Sequence, residues 1–325
     1  MLKVLYLPLN SPEGVQQGMY DAWNNINVKL EIFDFYMNYL RSSKNLSVVR
    51  SQFLKQVDKF KPDLIHMQLQ FTDIIDNATL KKARALSPNV IITNWSGDIR
   101  ATAIPNFINL SNALDYSFIS STGQLEMYRK AGCNNVRYWQ IGYDPKNSYP
   151  VNNKTFKYDV TFIGNNYGNT FPDGYIRLEA ANKLRNAFGA KFGIFGGGFP
   201  KPWNTPTCNP TEANGHYNNS ICALSISNFN SVSHYFSDRL LYCVGSGRPT
   251  ISWSFPGGDS YFADGSEILF VHTYEELINA VKFCKDNPDK ANQIGKNGQM
   301  RAFKEHTNTS RILELLHITK LISKV

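Results

Sequence analysis

The chain has 325 residues, 42% of them hydrophobic and 18% charged, with a formal net charge of +8. That length and balance suit two globular domains with cores of ordinary size and exclude a disordered or low-complexity chain. No apolar run is long enough to span a bilayer, and five scattered cysteines (133, 208, 222, 243, 284) without CxxC spacing point to a reduced, cytoplasmic setting with no disulfide framework and no metal site.

Met-Leu-Lys-Val-Leu-Tyr-Leu-Pro at the start reads as a first strand and not as a signal peptide. Apolar runs then alternate with helical patterns. Strands are predicted at Lys3–Leu7, Val28–Phe33, Asp63–Met67, Val90–Thr93, Tyr116–Ser120 and Val136–Gln140. Helices are predicted at Val48–Phe60, Ala78–Leu86 and Gly123–Ala131, the last between Thr122 as N-cap and Gly132 as stop. Gly142–Lys157 is polar and contains proline, so it reads as a linker. A second alternation follows. Strand Tyr158–Ile163 ends at Gly164, helix Tyr175–Phe188 ends at Gly189, and strand Ala190–Phe195 runs into Gly196-Gly-Gly198. Phe199–Asn219 reads as a long loop, Ala223–Ser227 as a strand and Asn228–Phe236 as a polar loop. Strands at Pro249–Trp253 and Ile268–His272 are followed by a helix with the capping box Thr273-x-x-Glu276, a helix from Asn287-Pro288, and a final helix at Thr309–Ile322. The expected class is α/β: two Rossmann-like βαβ domains, 1–150 and 151–308, with a C-terminal helix in 309–325 packing back towards the first. There is no GxGxxG and no P-loop.

The stretch from Ser237 to Pro249, SDRLLYCVGSGRP, collects the strongest chemistry. Ser237 is a helix-capping residue, Leu240, Leu241 and Val244 make an apolar stripe, and Gly245 and Gly247 end the helix. A helix start beside Arg239 suits a phosphate; an ordinary capped helix with a surface ion pair is the other reading. This stretch, with Gly265-Ser-Glu267-Ile, Thr273-Tyr-Glu-Glu-Leu277, Asn287-Pro288, Ile294-Gly-Lys-Asn-Gly298 and His306-Thr307 followed by Arg311, resembles the C-terminal domain of nucleotide-sugar-dependent GT-B glycosyltransferases, in the branch typified by CgeB-like spore maturation proteins. Weaker echoes lie at Gln140-Ile-Gly-Tyr-Asp144 and Tyr158-Asp-Val-Thr-Phe-Ile-Gly164. The resemblance runs from about Tyr158 to Leu316.

It implies two Rossmann-like domains facing across a cleft, a nucleotide-sugar (UDP-sugar) donor in the C-terminal domain, and no metal cofactor required. The leaving diphosphate gains charge in the transition state, so fixed N–H groups and cations aimed at it are the main catalytic device. Gly164, Asn165, Ser237, Asp238, Arg239, Tyr242 and Glu267 are the donor-binding candidates, with Arg239 also catalytic. Glu267 takes either a structural or a donor-proximal role. Many relatives carry a ribose-binding Glu near the position of Tyr242; here a Tyr must hydrogen-bond or stack instead.

The N-terminal half is the expected acceptor domain. Asn94-Trp95-Ser-Gly-Asp98-Ile-Arg100 follows a strand, and Asp98 is the candidate base for the acceptor hydroxyl. The alternative is an Asp that caps a helix or pairs with Arg100, and a retaining enzyme needs no such base. Trp95, Arg100 and Gly14, in the loop Asn10–Gly18, are acceptor-binding candidates, and His66 ends a strand on the same side. Arg41, Lys44, Arg50, Lys55, Lys59 and Lys61 stand against Asp58 alone. With Lys55 and Lys59 on phosphates and Trp95, Phe71 or Tyr20 stacking an extruded base, the favoured acceptor is a hydroxymethylated pyrimidine in double-stranded phage DNA. A composition rich in Asn, Lys, Ile and Tyr suits an AT-rich phage or bacterial genome. A cell-surface glycan, lipid or protein acceptor is the alternative, and a non-catalytic GT-B-like binding protein is another.

Overall fold

The computed structural model describes residues 1–9, 17–70 and 72–325, so Gly14 and Phe71 lie outside the described residues. The chain forms two compact units, Met1–Gln140 with Asn308–Val325, and Ile141–Thr307.

In the first unit the chain runs β1 (Leu2–Leu7), α1 (Gln17–Asn24), β2 (Val28–Ile32), α2 (Phe35–Arg41), α3 (Leu46–Phe60), β3 (Leu64–Met67), α4 (Asn77–Leu86), β4 (Ile91–Ser96), α5 (Pro105–Ser111), β5 (Tyr116–Ile119), α6 (Leu125–Lys130) and β6 (Val136–Tyr138). The strands are all parallel, in the order β2-β1-β3-β4-β5-β6. Fully buried parallel strands need apolar residues on both faces, which is why these runs stand out in the sequence. α3 shows the helical logic. Asn45 caps it by accepting from the Ser47 and Val48 amides, and Val49, Phe53, Val57 and Phe60 form one buried stripe against Leu5, Ile65 and Met67.

The second unit holds β7 (Tyr158–Ile163), α7 (Gly174–Phe188), β8 (Phe192–Phe195), α8 (Pro210–Asn218), β9 (Ser220–Ser225), α9 (Asp238–Gly245), β10 (Thr250–Trp253), β11 (Leu269–Val271), α10 (Tyr274–Asp286) and α11 (Pro288–Glu305). Its parallel order is β11-β10-β9-β7-β8, around a core of Val160, Phe162, Leu184, Ile194, Leu224, Ile251 and Val281. The last helix, α12 (Asn308–Ile318), packs on α1 in the first unit, where the Trp139 indole donates to the Arg311 carbonyl at 2.8 Å.

Each sheet reverses its winding once, between β1 and β3 and between β7 and β9. Ligands of open α/β sheets bind beyond the carboxyl ends of the strands at such a point.

Several expectations need correction. α1, α2, α5 and α8 are helices that the periodicity did not announce. α8 lies inside the expected loop Phe199–Asn219, started by Pro210 and by Glu212, whose carboxylate accepts from the Asn209 amide at 3.0 Å. The expected linker 142–157 is packed structure, since Tyr143 and Ser148 lie buried against α9 and the Ser148 hydroxyl donates to the Tyr242 carbonyl at 2.7 Å. Ser237 stands at the N-cap of α9, but its hydroxyl makes no capping bond. It accepts instead from the Arg239 guanidinium at 3.1 Å.

Candidate functional site

The β7–β9 switch point is built around two guanidiniums. Arg239, in the first turn of α9, donates from Nε to the Ile163 carbonyl, which ends β7, at 2.5 Å. Its Nη1 donates to the Ile226 carbonyl, just past β9, at 3.1 Å. Arg177, near the start of α7, donates to the same Ile226 carbonyl at 2.7 Å and to the Asn165 carbonyl. Both guanidiniums lie over the Phe162 ring, with Cζ 5.1 Å (Arg239) and 5.5 Å (Arg177) from its centroid.

Arg177 is only 2% exposed, and its Nε finds no hydrogen-bond partner among the described residues. Neither guanidinium pairs with a carboxylate among the described residues. Burial first, and the Arg239 charge second, press the Arg177 pKa down. Two cations held together in low dielectric, with no counter-charge, repel each other. An anion at the same strand ends relieves that repulsion.

The backbone leaves room for the pair. A Cβ at Gly164 would sit 2.9 Å from Arg239 Cζ. The neighbouring turn is braced by Asn165, whose side-chain oxygen accepts from the Gly197 amide at 2.8 Å. Gly196 has φ +128°, and a Cβ there would come within 2.7 Å of the Gly164 carbonyl carbon, so only glycine fits this approach. Asp173 fixes the loop after β9, accepting from the Asn230 and Ser231 amides at 2.6 and 2.9 Å and from the Ser231 hydroxyl at 3.0 Å.

Gly164, Asn165, Ser237 and Arg239 are therefore brought together at one strand end. Asp238 adjoins them, its carboxylate accepting from the Arg239 amide at 2.8 Å. Tyr242 lies one turn further along α9. Burial pushes its hydroxyl pKa up, and the charges of Asp238 and Asp144 add to the shift. Glu267 is elsewhere: its carboxylate accepts from the Ala263 amide at 2.8 Å and closes the turn before β11. Of the two roles open to it, the bond is the structural one. Arg177 and Asp173 are the residues sequence reasoning missed. A signal for Arg177 existed, because it shares the face of Ile176, Ala180, Ala181 and Leu184, where a lone charge is out of place.

In the first unit Trp95 is a core residue and not an open stacking platform. It is 5% exposed, its indole N–H donates to the Ser120 hydroxyl and Trp139 carbonyl at 3.1 and 3.2 Å, and its ring packs edge-on against Trp139. Tyr20, also named for stacking, is 3% exposed. Asp98 is exposed after β4 and lies 3.6 Å from Arg100. Lys55 and Lys59 are exposed on α3, whereas Arg50 is committed to Asp76 at 2.8 Å and Lys61 to Asp58 at 2.6 Å. His66 is fully buried at the β1–β3 switch point, stacked on Tyr6 and bonded through Nδ1 to Thr93 at 2.8 Å. Around it His66 Nε2, Trp23 Nε1, Tyr20 Oη and Gln68 Oε1 are buried polar atoms without hydrogen-bond partners among the described residues.

No helix among the described residues is long and apolar enough to cross a membrane. The expectation that no metal-ligand cluster exists needs revision, because Cys208, Glu212 and His216 gather around one point on α8.

Residues 177–317 match the glycosyl transferase-like family. No curated protein sequence matches the chain. Among solved structures it is similar to Anabaena Alr3699/HepE in complex with UDP and glucose (12% identity, 98% of this chain and 100% of that chain, TM-score 0.60). It is also similar to sucrose-phosphate synthase from Thermosynechococcus elongatus (12% identity, 100% of both chains, TM-score 0.65). A third is a glycosyltransferase from Rickettsia africae (13% identity, 99% of both chains, TM-score 0.63). The chain has the GT-B fold. Within that GT-B fold the family match begins at Arg177 and takes in Arg239, so both members of the arginine pair lie inside it.

Proposed function

We propose that the chain is a glycosyltransferase that takes its sugar from a UDP-sugar. The observation that carries this reading is the arginine pair at the β7–β9 switch point, two cations without a carboxylate partner among the described residues. A nucleotide diphosphate supplies the missing negative charge. As the bond between the sugar's anomeric carbon and the diphosphate oxygen breaks, charge builds on that oxygen, and a preorganised guanidinium stabilises it more than it stabilises the substrate. The bond that forms joins the anomeric carbon to an acceptor oxygen, whose proton must leave. Asp98 is the group we assign to receive it. UDP is the preferred nucleotide because structural neighbours are described in complex with UDP or UDP-glucose.

The acceptor is a hydroxyl compound taken by the first unit. The exposed Lys55 and Lys59 on α3 favour a polyanion, and a hydroxymethylated pyrimidine in duplex DNA is the acceptor of that kind to test first. Arg50 and Lys61 are spent on local carboxylates, which leaves a smaller basic face than the sequence suggests. The test is nucleotide release from UDP-, GDP- and ADP-sugars, with and without DNA containing 5-hydroxymethylcytosine or 5-hydroxymethyluracil. Release stimulated by the DNA supports both halves. Release without stimulation keeps the transferase and moves the acceptor to a glycan, lipid or protein. No release from any donor overturns the enzyme and leaves a binding protein.

A further inference from the structure

Three ligand-type side chains meet at α8, Cys208 just before the helix and Glu212 and His216 on it. Cys208, Glu212 and His216 each offer one ligand atom, and these atoms lie within 4.8 Å of one another. The spacing C-x3-E-x3-H explains the meeting. Glu212 and His216 are four apart on a nine-residue helix and so share a face. Cys208 immediately precedes the N-cap Asn209.

Glu212 and His216 are each already held. Glu212 uses Oε2 to accept from the Asn209 amide at 3.0 Å, which orients the carboxylate and leaves Oε1 for an ion. The His216 ring lies on Phe195, with centroids 3.8 Å apart. Such support from neighbouring groups is what fixes metal ligands in place. Of the five cysteines, all without disulfides, Cys208 is the one that is not buried, so it can be reached from solvent.

A thiolate, an imidazole and a carboxylate form a mixed donor set. Calcium and magnesium prefer all-oxygen sites, whereas zinc takes sulfur, nitrogen and oxygen together in a tetrahedron. We propose that Cys208, Glu212 and His216 bind one zinc ion, with water in the fourth position. On binding, the Cys208 S–H bond breaks, a sulfur–zinc bond forms and the proton passes to solvent; the neutral imidazole and the carboxylate give up none.

The ion would close the loop between β8 and α8 onto the helix. That loop is tied to the β8 end, where the Gly196 amide donates to the Pro206 carbonyl and the Thr205 hydroxyl to the Gly196 carbonyl, each at 2.8 Å. Phe195, under His216, accepts from the Gly164 amide at 2.8 Å. Zinc thus stiffens the turn beside Arg239. This last consequence rests on the donor-site reading; zinc binding itself does not.

The experiment uses the full, tag-free chain, stripped with a chelator and titrated with cobalt and then zinc in the absence of nucleotide. The wild type should bind one ion per chain, with an intense thiolate-to-cobalt charge-transfer band that zinc abolishes. Cys208→Ser should lose the band, and His216→Gln and Glu212→Gln should each weaken zinc binding at least about tenfold. Glu212→Gln keeps an oxygen for the Asn209 amide, so it tests ligation without removing the helix start. Zinc should raise the melting temperature of the wild type and not of Cys208→Ser. Absence of the band in the wild type, its persistence in Cys208→Ser, or unchanged zinc affinity in all three variants would overturn the proposal. Nucleotide release is measured separately, so a failed transferase reading leaves this result standing.

Discussion

Arg177 and Arg239 both donate to the Ile226 carbonyl, so their like charges are held close together and oppose each other. Replacing either should therefore have different effects. Arg239→Ala should lower nucleotide release by about 100–1000-fold, the usual cost of losing a preorganised donor at a developing oxyanion, with an unchanged circular-dichroism spectrum. An unchanged rate would remove Arg239 from the phosphate. Arg177→Met strips the buried Ile226 carbonyl and the Asn165 carbonyl of a donor, so it should cost stability, about 1–3 kcal/mol in urea unfolding. His66 supplies a pH signature. Burial lowers its pKa from 6.5 to about 3, so between those values the unfolded chain binds the proton and the folded chain does not. Stability is then complete above pH 6.5 and falls as pH drops towards 3, by up to about 1.4 kcal/mol per pH unit. Urea unfolding between pH 7 and 4.5 should show this slope, and His66→Asn, which keeps a group for Thr93, should flatten it. An equal slope in both proteins would assign the proton to another group.

At the scale of elements, the site is the pair of strand ends where the second sheet changes direction. Gly164 is its narrowest point, since any side chain there meets the Arg239 guanidinium. Gly164→Ala should push Arg239 off the Ile163 carbonyl and cut nucleotide release at least about tenfold, measured beside Arg239→Ala; release equal to wild type would show that the approach is not needed. How far the sequence reveals these elements follows from burial. β7, β1 and β3 read clearly because most of their residues are apolar and buried, with only Lys3, His66, Asp159 and Thr161 interrupting the runs. α8 did not, because its buried side is made by Asn214, Tyr217 and Asn218 and not by an aliphatic stripe. Ser237 was legible as a helix boundary and misleading as a cap, because its hydroxyl had a guanidinium to accept from as well as backbone amides. Trp95, a stacking candidate in the sequence, has its ring in the core instead. Arg177 is legible only as a lone charge on an apolar helix face; its pairing with Arg239, far along the chain, comes from the sheet order, which brings the ends of β7 and β9 together.

For the molecule as a whole, the first unit remains the less marked half. Its switch point gathers polar atoms from Tyr20, Trp23, His66 and Gln68 that have no partner among the described residues, and its exposed chemistry is Asp98 with Arg100, and Lys55 with Lys59. Asp98→Asn should lower transfer to the acceptor by about 100–10,000-fold if it takes the acceptor proton, while slow hydrolysis of the donor by water continues; a mild effect on transfer would assign it to positioning. Reversing the charge of Lys55 and Lys59 together should weaken DNA binding and reduce its salt dependence, and identical binding would remove DNA as the favoured acceptor. The measurement that reaches the central claim most directly is UDP binding by calorimetry to the wild type and to Arg239→Ala. The account predicts one site per chain and a loss of affinity of at least about tenfold in the variant, since a charged contact is worth more than 1.4 kcal/mol. Binding of equal strength in both proteins, or none in the wild type, would contradict it.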